Sequence, residues 1–381
     1  MSAAKPGSAV AVLLGGPSAE HDVSLVSGRA ITAALAERGY AVDGWLIDLD
    51  GRWWQLPASA LDREIPHTSY DDPPALGAEG PFTAAAALER LAGTNLRPIV
   101  FPALHGPFGE DGTLQALLES TGLAYCGSGP AASAIGMDKA IFKRLCGAQE
   151  VPVVPWLEVR ATDFATANRA ATLRRVEAFA AGLPDPRLVI KPARLGSSIG
   201  VGIVRCPGVP PELEAAMADA FRYDDLLLAE AYVADARELE ASVVGNEPAE
   251  LEVFGPGEII PGREFYDFVA KYRDDASRTL AKPEPPLDPE LRERARRTAR
   301  EVYLAIGAAG FARVDFLLAG DGALFVSEIN TIPGFTPISL FPVLCAEGGY
   351  SFPDICEHIV ELAIERAAQR PTRHLTRADL P

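Results

Sequence analysis

The sequence predicts a parallel α/β domain followed by smaller antiparallel α+β units, and three observations support this fold class. The chain has 381 residues, enough for two or three domains of ordinary size. Its N-terminal third alternates short apolar runs with helical patterns, which is typical of a parallel sheet with helical crossovers. The remainder is richer in strand patterns and contains a hairpin signal at an Asp-Gly pair.

The N-terminal domain begins with an apolar strand that leads through a glycine turn into a helix. Further apolar runs bounded by turn residues predict two more strands, and the last of these continues through a loop into a second helix. The predicted strands cover 9–14, 42–49 and 98–104, and the predicted helices cover 23–38 and 113–120. The segment 57–80 is rich in Pro, Asp and Ser, so we expect a surface loop with little regular structure.

The pattern changes near residue 127, where a smaller antiparallel α+β unit is expected to begin. It is predicted to contain a helix over 139–146 and strands over 188–191, 198–204, 226–231 and 239–244. Next come a strand near 251–254, a polar segment over 263–286, a helix over 288–306, a hairpin over 311–330, an amphipathic helix over 352–368 and a tail over 369–381. The predicted domains are 1–130, 131–246 and 247–381.

Charge and cysteine content exclude several classes of function. The 35 basic and 52 acidic residues give a net charge of −17, which repels phosphate backbones, so we expect no nucleic-acid partner. No apolar stretch approaches the length of a membrane helix, so we expect no membrane association. The five cysteines form no CxxC pair, and the N-terminus lacks the pattern of a signal peptide. We therefore expect a reduced, cytoplasmic protein without structural zinc.

The hairpin is the most informative local feature. If 321–322 are the central residues of a two-residue turn, Asp315 lies opposite Glu328 and Arg313 opposite Asn330, all on one face. Two opposed carboxylates repel each other unless a cation lies between them. Asp, Glu and Asn oxygens are the hard ligands that Mg²⁺ takes when it also binds phosphates. This face of the hairpin is therefore a candidate metal site.

The opposite face of the hairpin predicts part of a core, and one alternative to the metal site remains open. The side chains expected in the core are Val314, Phe316, Phe325 and Ile329. The alternative is a solvated sheet face whose register is shifted by a β-bulge, because bulges are common beside such turns.

Two lysines and a glycine loop suggest a phosphate site. Only six residues of the chain are lysine, so Lys139 and Lys191 stand out against arginine as the usual cation. The loop 191–200 contains Gly-Ser-Ser, whose backbone N–H groups and hydroxyls can bind phosphate oxygens. It lacks the Gly-Lys-Ser/Thr of a Walker loop, and an ordinary turn is the alternative interpretation.

Two residues of the N-terminal domain are candidates for the functional site. Glu20 lies where the first helix should begin, and an acidic residue there is also explained by the helix dipole or by capping. His105 follows a parallel strand at the end where open α/β sheets bind ligands. The sequence contains neither a Ser-His-Asp nucleophile elbow nor a His/Cys cluster, so hydrolase and zinc-enzyme functions are unsupported.

Several motifs together resemble the bacterial D-alanine-D-alanine ligases of the ATP-grasp superfamily. They occur in family order over nearly the whole chain, which makes accidental similarity very improbable. They are LLGGPSAEHDVSLVSG (13–28), LHGPFGEDGTLQ (104–115), GMDK (136–139), IKPARLGSSIGVGIV (190–204), EFYDFVAKY (264–272), and GFARVDFLL followed by FVSEINTIPGFTPISLFP (325–342).

The resemblance implies a three-domain ATP-grasp fold whose N-terminal parallel α/β domain precedes the two ATP-grasp subdomains. It implies a cytoplasmic homodimer that couples ATP cleavage to formation of D-alanyl-D-alanine for peptidoglycan. ATP and D-alanine would be its partners, and two Mg²⁺ or Mn²⁺ ions its cofactors. The implied nucleotide contacts are Lys139 and Lys191 at the phosphates, Glu230 at the adenine strand and Glu238 at the ribose hydroxyls.

The remaining implied roles concern the metals and the amino acid substrates. Asp315, Glu328 and Asn330 would hold the metal ions, and Lys271 would reach the transferred phosphate. Arg313 and the N–H of Gly334 would bind the oxyanion. Glu20, with Ser197 and Tyr272, would anchor the first ammonium. Ser339 and Leu340 would receive the second carboxylate, with His105 near the substrates. The polar segment 263–286 would close over the site as a lid.

Three other functions share parts of this pattern. A D-Ala-D-lactate or D-Ala-D-Ser ligase of the glycopeptide-resistance type has the same fold and metal site, but Tyr272 argues against it. A catalytically silent ATP-binding relative would be expected to have lost one of the charged residues, and the motif residues are all present. Another ATP-grasp carboxylate-amine ligase has no reason to keep both SAEHDVS and HGPFGEDG.

Overall fold

Three β-sheets and the helices packed on them form the described part of the molecule. The computed structural model describes residues 9–62, 65–94, 97–165, 167–206, 210–260 and 280–369. Within these ranges no helix combines the length and apolar character needed to span a bilayer. The five cysteines are buried free thiols.

The first sheet has a parallel core, as predicted, and an antiparallel edge that was not predicted. Its strands are β1 (Ala9–Gly15), β2 (Ala41–Ile47), β3 (Trp53–Leu56), β4 (Glu79–Phe82) and β5 (Ile99–Pro102), in the order β4-β3-β2-β1-β5. Strand β1 is parallel to β2 and β5, whereas β3 is antiparallel to its two neighbours. The helices of this region are α1 (His21–Glu37), α2 (Ala84–Ala92) and α3 (Thr113–Thr121).

The segment between β3 and β4 is folded and packed, so the prediction of a loop with little regular structure is wrong. It contains three 3₁₀ turns, at Ala58–Leu61, His67–Asp71 and Pro73–Leu76. Tyr70 is buried and donates a hydrogen bond to the Ala60 carbonyl at 2.5 Å. Arg29 of α1 donates to the Ile65 carbonyl at 2.5 Å. These contacts satisfy buried polar groups across the sequence, which a local composition of Pro, Asp and Ser does not reveal.

The central sheet contains β6 (Trp156–Arg160), β7 (Arg187–Pro192), β8 (Gly202–Arg205) and β9 (Leu226–Ala231), in the order β6-β9-β7-β8. All its pairings are antiparallel, as predicted. Helices α4 (Pro130–Met137) and α5 (Lys139–Ala148) precede it. Helices α6 (Arg169–Ala181) and α7 (Pro210–Ala220) bury their apolar faces against it. The sequence prediction did not include β6, α4, α6 or α7.

The third sheet carries the hairpin. Its strands are β10 (Arg237–Gly245), β11 (Glu252–Ile260), β12 (Leu280–Lys282), β13 (Gly310–Leu318) and β14 (Leu324–Asn330), in the order β12-β11-β10-β13-β14. Helices α8 (Pro289–Ala305), α9 (Leu340–Cys345) and α10 (Phe352–Gln369) belong to the same region. Because β10 pairs with both β11 and β13, sheet membership favours a domain limit before Arg237 rather than after residue 246. The predicted limits remain a prediction.

The hairpin pairs the predicted residues through a different turn. Asp315 lies opposite Glu328 and Arg313 opposite Asn330, as predicted. The loop, however, has three residues, 320–322, because Leu318 pairs with Leu324 and the Ala319 N–H donates to the Ala323 carbonyl at 2.9 Å. That loop alone would place Asp315 opposite Ser327. A bulge between Asp315 and Phe316 absorbs Ser327 and restores the Asp315–Glu328 pair.

The bulge also changes which side chains of β14 face the core. Val326 pairs with Phe316 and is 1% exposed, whereas Phe325 pairs with Leu317 and is only half-buried. The prediction that Phe325 lies in the core is therefore wrong, because one extra residue reverses the alternation of a strand. Val314, Phe316 and Ile329 are buried as predicted.

An aromatic cluster connects the first sheet, the third sheet and the loop that follows β14. Phe335 lies at its centre, with ring centroids 5.8 Å from Phe101 of β5 and 5.7 Å from Phe311 of β13. It also lies 5.4 Å from Phe341 of α9 and 5.7 Å from Phe352 of α10. Phe335 is 1% exposed. This single side chain thus fixes the loop 331–339 against two sheets.

We expect Phe335→Ala to destabilise the protein by about 3 to 5 kcal/mol, the usual cost of removing a buried phenylalanine and leaving a cavity. Urea unfolding followed by circular dichroism measures this loss. Ile338→Ala, in the same loop, is the matched control and should change stability little, because Ile338 is 85% exposed. Equal effects of the two substitutions would contradict the central position of Phe335.

Candidate active site

A cavity of about 1190 Å³ opens where the three sheets meet. The N-terminal region contributes Glu20 and His105 to its lining. The central sheet contributes Glu230, and the third sheet contributes Asp315. Residues distant in sequence thus line one space, which is the arrangement of a typical ligand site between domains.

Helix α5 places Lys139 at the edge of this cavity. Asp138 caps the helix by accepting hydrogen bonds from the N–H groups of Ala140 and Ile141 at 3.0 and 2.9 Å. Lys139 Nζ lies 3.1 Å from Glu328 Oε2 and donates to the Leu195 carbonyl at 2.9 Å. Its position is therefore determined by a local cap and by contacts with the third sheet and with the loop after β7.

The charges of this pair shift both pKa values. Burial raises the pKa of Glu328, but Lys139 and Lys191 lower it more strongly, to about 2. Burial lowers the pKa of Lys139, but the charge and hydrogen bond of Glu328 raise it above its ordinary value. Both groups are therefore charged at neutral pH.

Arg313 lies among carboxylates on the same face of the sheet. It donates to both oxygens of Asp315, at 2.7 Å from Nε and 2.6 Å from the terminal nitrogen. Its Nε is also 3.3 Å from Glu240, which lies directly opposite Asp315 on β10. Burial lowers the pKa of Arg313, but the charge of Asp315 and then that of Glu240 raise it far above its ordinary value.

The donors on this face fit a divalent metal in their chemistry. Asp315 and Glu328 are register partners, and the Asn330 amide donates to Asp315 Oδ2 at 3.0 Å, so three side chains with hard oxygen donors converge. Here both carboxylates are compensated by cations of the protein, Asp315 by Arg313 and Glu328 by Lys139. Among the described residues no group of three or more His, Cys, Asp or Glu is spaced to hold a metal.

Glu230 and Lys191 form a second charged cluster in the central sheet. Lys191 Nζ lies 2.8 Å from Glu230 Oε2, and Lys143 Nζ of α5 lies 2.9 Å from Oε1. Burial raises the pKa of Glu230, but the two lysines lower it more, to below its ordinary value. The carboxylate is therefore ionised although its side chain is only 6% exposed.

Glu20 does not cap helix α1, although it occupies the N-cap position. Its carboxylate accepts a hydrogen bond from Ser197 in the loop after β7, which joins the N-terminal domain to the central one. Ser197 has a left-handed φ of 52°, which is uncommon for a residue other than glycine. Gly106 makes close approach possible, since a Cβ there would lie 2.6 Å from Glu20 Oε2. The missing cap hydrogen bond and this long-range contact argue against the capping explanation for Glu20.

His105 is buried beside the same cavity and held on both ring nitrogens. Its Nδ1 donates to the Ile332 carbonyl at 2.9 Å, and its Nε2 lies 2.9 Å from Ser27 Oγ. Burial lowers the pKa of His105, but Glu110 and Glu20 raise it more, to above its ordinary value. Burial also raises the pKa of Glu110, whose Oε1 lies 3.6 Å from His105 Nδ1.

The remaining predicted site residues divide into those that line the cavity and those outside the described ranges. Gly334, Ser339, Leu340 and Glu238 line the cavity. Ser339 Oγ is within 2.8 Å of Thr336 Oγ1, and Leu340 is the first residue of α9. Lys271 and Tyr272, with most of the predicted lid, lie outside the described residues.

Comparison with known proteins identifies the family. The model described as "D-ala D-ala ligase N-terminus" matches residues 9–128, and the model described as "D-ala D-ala ligase C-terminus" matches residues 145–361. The chain belongs to the D-alanine-D-alanine ligase family. The predicted family, the ATP-grasp fold and the assignment as a ligase are thereby confirmed.

Individual ligases match over nearly their full length. The chain is 39% identical to the D-alanine--D-alanine ligase of Kineococcus radiotolerans, over 95% of this chain and 98% of that protein. It is 37% identical to that of Halothermothrix orenii, over 93% and 97%. The structure of the D-alanine-D-alanine ligase from Coxiella burnetii superposes with a TM-score of 0.77 at 29% identity, covering 96% of each chain. VanG D-Ala:D-Ser ligase from Enterococcus faecalis superposes with a TM-score of 0.78 at 28% identity, covering 94% of this chain and 99% of that one.

Sequence reasoning did not assign a role to four residues of this ligase that the structure places in or beside the charged clusters. They are Ser27, Glu110, Lys143 and Glu240. Glu110 lies within the quoted motif HGPFGEDG, and Glu240 follows Glu238 at the strand period of two, so both had a usable signal. Lys143 follows Lys139 by four residues, which places both on one side of a helix.

We expect Glu110→Gln to lower the pKa of His105, because Glu110 raises it by hydrogen bonding and charge. A pKa raised above the unfolded value means that protonated His105 stabilises the fold at acidic pH. This contribution is lost as the pH rises through the folded-state pKa. NMR titration of the imidazole nitrogens measures the pKa directly. Glu37→Gln, an exposed carboxylate of α1, is the control, and an unchanged His105 pKa in Glu110→Gln would refute the coupling.

Proposed function

We propose that this protein joins two D-alanine molecules to D-alanyl-D-alanine with cleavage of ATP, as a step in the synthesis of peptidoglycan precursors. The observation that carries the proposal is the convergence of Lys139, Lys191, Arg313 and the opposed Asp315–Glu328 pair on one cavity, in a chain of this family. We further propose that it acts in the cytoplasm as a homodimer. The five free thiols suit a reducing compartment.

The nucleotide is proposed to lie between the central and third sheets. Lys139 and Lys191 each neutralise a carboxylate here, so they are available to exchange that partner for the more highly charged phosphates. Glu230, buried in the central sheet, is proposed to face the adenine. Glu238, two residues into β10 on the cavity wall, is proposed to bind the ribose hydroxyls.

Asp315, Glu328 and Asn330 are proposed to hold two Mg²⁺ or Mn²⁺ ions with the nucleotide. Such ions neutralise charge on the phosphoryl group as it is transferred. For these carboxylates to bind a metal, the ion pairs of Lys139 with Glu328 and of Arg313 with Asp315 would have to loosen. Both cations would then be available for phosphate and for the developing oxyanion.

The proposed reaction has two steps. The carboxylate of the first D-alanine attacks the γ-phosphorus, which forms an acyl phosphate and releases ADP. The amine of the second D-alanine then attacks the acyl carbon, and phosphate leaves. Arg313 and the N–H of Gly334 are proposed to stabilise the oxyanion, and Lys271 to contact the transferred phosphoryl group.

Two further groups of residues are proposed to orient the substrates. Glu20, hydrogen-bonded to Ser197, is an anion suited to the ammonium of the first D-alanine, with Tyr272 in the same set. Ser339 and Leu340, at the start of α9, are proposed to receive the second carboxylate. His105, buried next to Glu110, is proposed to lie against the substrates and to hold a proton there.

The alternative functions are less well supported. The relatives cited above at 37% and 39% identity are both named D-alanine--D-alanine ligases. The two superposed structures, one of each activity, do not separate the alternatives, because their identities are 29% and 28%. A silent relative is disfavoured because the charged residues of the cavity are intact and mutually compensated.

The purified protein should release phosphate from ATP when Mg²⁺ and D-alanine are present, and mass spectrometry should identify D-alanyl-D-alanine as the product. Parallel reactions contain L-alanine, or D-alanine with D-serine or D-lactate. If D-alanyl-D-serine or D-alanyl-D-lactate formed in preference to D-alanyl-D-alanine, the protein would be assigned to the resistance-type ligases. No phosphate release in any mixture would favour a silent relative.

Glu328→Gln should lower turnover with Mg²⁺ by at least about a hundredfold, the scale of losing one charge contact to a transition state. Electron paramagnetic resonance with Mn²⁺ and ATP should show weakened metal binding in the same variant. Asp321→Asn, in the exposed turn of the same hairpin, is the matched control and should keep wild-type metal affinity. Normal Mn²⁺ binding by Glu328→Gln would contradict the proposed role of Glu328 as a metal ligand.

A further inference from the structure

Among the described charged residues near the cavity, Lys143 has the most deeply buried side chain, and the reaction proposed above does not use it. Its side chain is 0% exposed, and it is absent from the residues that line the cavity. It therefore does not touch a bound substrate in this arrangement. Burying an ammonium group is costly unless a partner compensates it, so its contacts should reveal its role.

The contacts of Lys143 are with the Glu230 carboxylate and with residues close to it. Lys143 Nζ lies 2.9 Å from Glu230 Oε1, donates to the Val154 carbonyl at 3.2 Å and lies 5.5 Å from the centre of the Trp156 ring. Trp156 and Glu230 are register partners on β6 and β9. Lys143 is thus enclosed by the strand pair that carries Glu230.

Glu230 has two cations with different access to the cavity. Lys191 lines the cavity and is proposed to move to phosphate when nucleotide binds. Lys143 lies behind the cavity wall, where a phosphate cannot reach it. When Lys191 changes partner, Lys143 remains as the countercharge that keeps Glu230 ionised and in place.

The oxygen of Glu230 that does not face Lys143 can accept a hydrogen bond from a ligand. Oε1 is buried against Lys143, whereas Oε2 pairs with Lys191 of the cavity wall and loses that partner when Lys191 moves to phosphate. Glu230 itself lines the cavity. An ionised carboxylate only accepts hydrogen bonds. Adenine presents an amino group at position 6, whereas guanine presents an oxygen acceptor there.

We propose that Lys143 is a positioning residue that holds Glu230 as a fixed hydrogen-bond acceptor and so makes the site select a 6-aminopurine nucleotide over a 6-oxopurine nucleotide. The proposal rests on the proposed function, because it takes ATP as the bound nucleotide. It assigns to α5 two lysines with different tasks. Lys139 serves the phosphates and the metal face, whereas Lys143 serves recognition of the base.

The proposal predicts a specific pH dependence. The charged groups that face Glu230 are Lys191 on β7 and the two α5 lysines, Lys143 by contact and Lys139 through its charge. Replacing Lys143 by Met removes one of the cations that lower the pKa of Glu230, so that pKa should rise. Protonated Glu230 gains a donor that suits a 6-oxo group. The preference of Lys143→Met for ATP should therefore fall as the solution is acidified.

The test is equilibrium binding of ATP and GTP, each with Mg²⁺, to wild type and Lys143→Met from about pH 8 down to about pH 5, close to the ordinary pKa of a Glu carboxyl group. ATP affinity of the variant should fall by roughly tenfold or more, the loss of a charged hydrogen bond, with GTP affinity much less affected. The ratio of the two affinities should depend more steeply on pH than in wild type. Equal losses for ATP and GTP, unchanged ATP binding, parallel pH profiles, or a wild type without preference for ATP would overturn the proposal.

Arg144→Met is the matched control on the same helix. Arg144 also pairs with a carboxylate, Glu158 at 3.4 Å, but its side chain is 56% exposed and does not line the cavity. It should leave both affinities unchanged, and selective loss of ATP binding in this variant would overturn the proposal.

A double variant keeps the proposal testable if Lys143→Met fails to fold. Glu230→Gln with Lys143→Met removes both charges of the pair and leaves no uncompensated buried ion behind the wall. If Lys143 acts through Glu230, the double variant should bind ATP within about twofold of Glu230→Gln alone. A further tenfold loss would show that Lys143 acts by another route.

Dipeptide formation measured on the same wild-type protein separates the two proposals. Selective ATP binding that depends on Lys143, without any D-alanyl-D-alanine product, would refute the proposed reaction and retain the positioning role. D-alanyl-D-alanine formation by wild type, with an unchanged nucleotide preference in Lys143→Met, would support the proposed reaction and refute the positioning role.

Discussion

Charge compensation across the cavity is the constraint on which the rest of the site depends. Acidic side chains from the central and third sheets face one space, and each close carboxylate is matched by a buried or half-buried cation. Helix α5 provides two of these cations from one turn of helix, Lys139 for Glu328 and Lys143 for Glu230. Unmatched, such carboxylates would repel one another or take up protons. The ion pairs of Lys139, Lys191 and Arg313 are the contacts that phosphates and metal ions would exchange, whereas the pair of Lys143 with Glu230 lies behind the cavity wall.

The framework around this charged cavity is apolar and connects the sheets. Phe335 packs between Phe101 and Phe311, so the loop that carries Gly334 is anchored in the core as well as by its own hydrogen bonds between Thr336 and Ser339. On the other side, the Glu20–Ser197 hydrogen bond joins the N-terminal region to the loop after β7. Packing and long-range hydrogen bonds together place Glu20, Ser197 and Gly334 on the wall of one cavity. Such placement contributes to rate because the reacting groups need not be ordered at each turnover.

The hairpin shows how a correct prediction can rest on a wrong intermediate step. The Asp-Gly pair indicated a two-residue turn, but the loop has three residues, and a bulge at Ser327 offsets the extra one. The pair proposed for metal binding, Asp315 opposite Glu328, is unchanged, whereas Phe325 and Val326 exchange faces. Turn chemistry is local and readable in sequence, but the position of a bulge depends on what the strand packs against.

The sequence alone determined the order of the main elements, the parallel core of the first sheet, the family and the candidate residues, because periodicity, turn residues and motifs are local properties. It did not determine the antiparallel edge of the first sheet, the folded segment around Tyr70, or the placement of β10 in the third sheet. Nor did the sequence assign a role to Lys143, which looks like an ordinary helix residue in sequence but whose side chain is enclosed by β6 and β9. Only the tertiary structure decided these points. They depend on which distant groups come together to satisfy buried charges and hydrogen bonds, and no local pattern encodes that pairing.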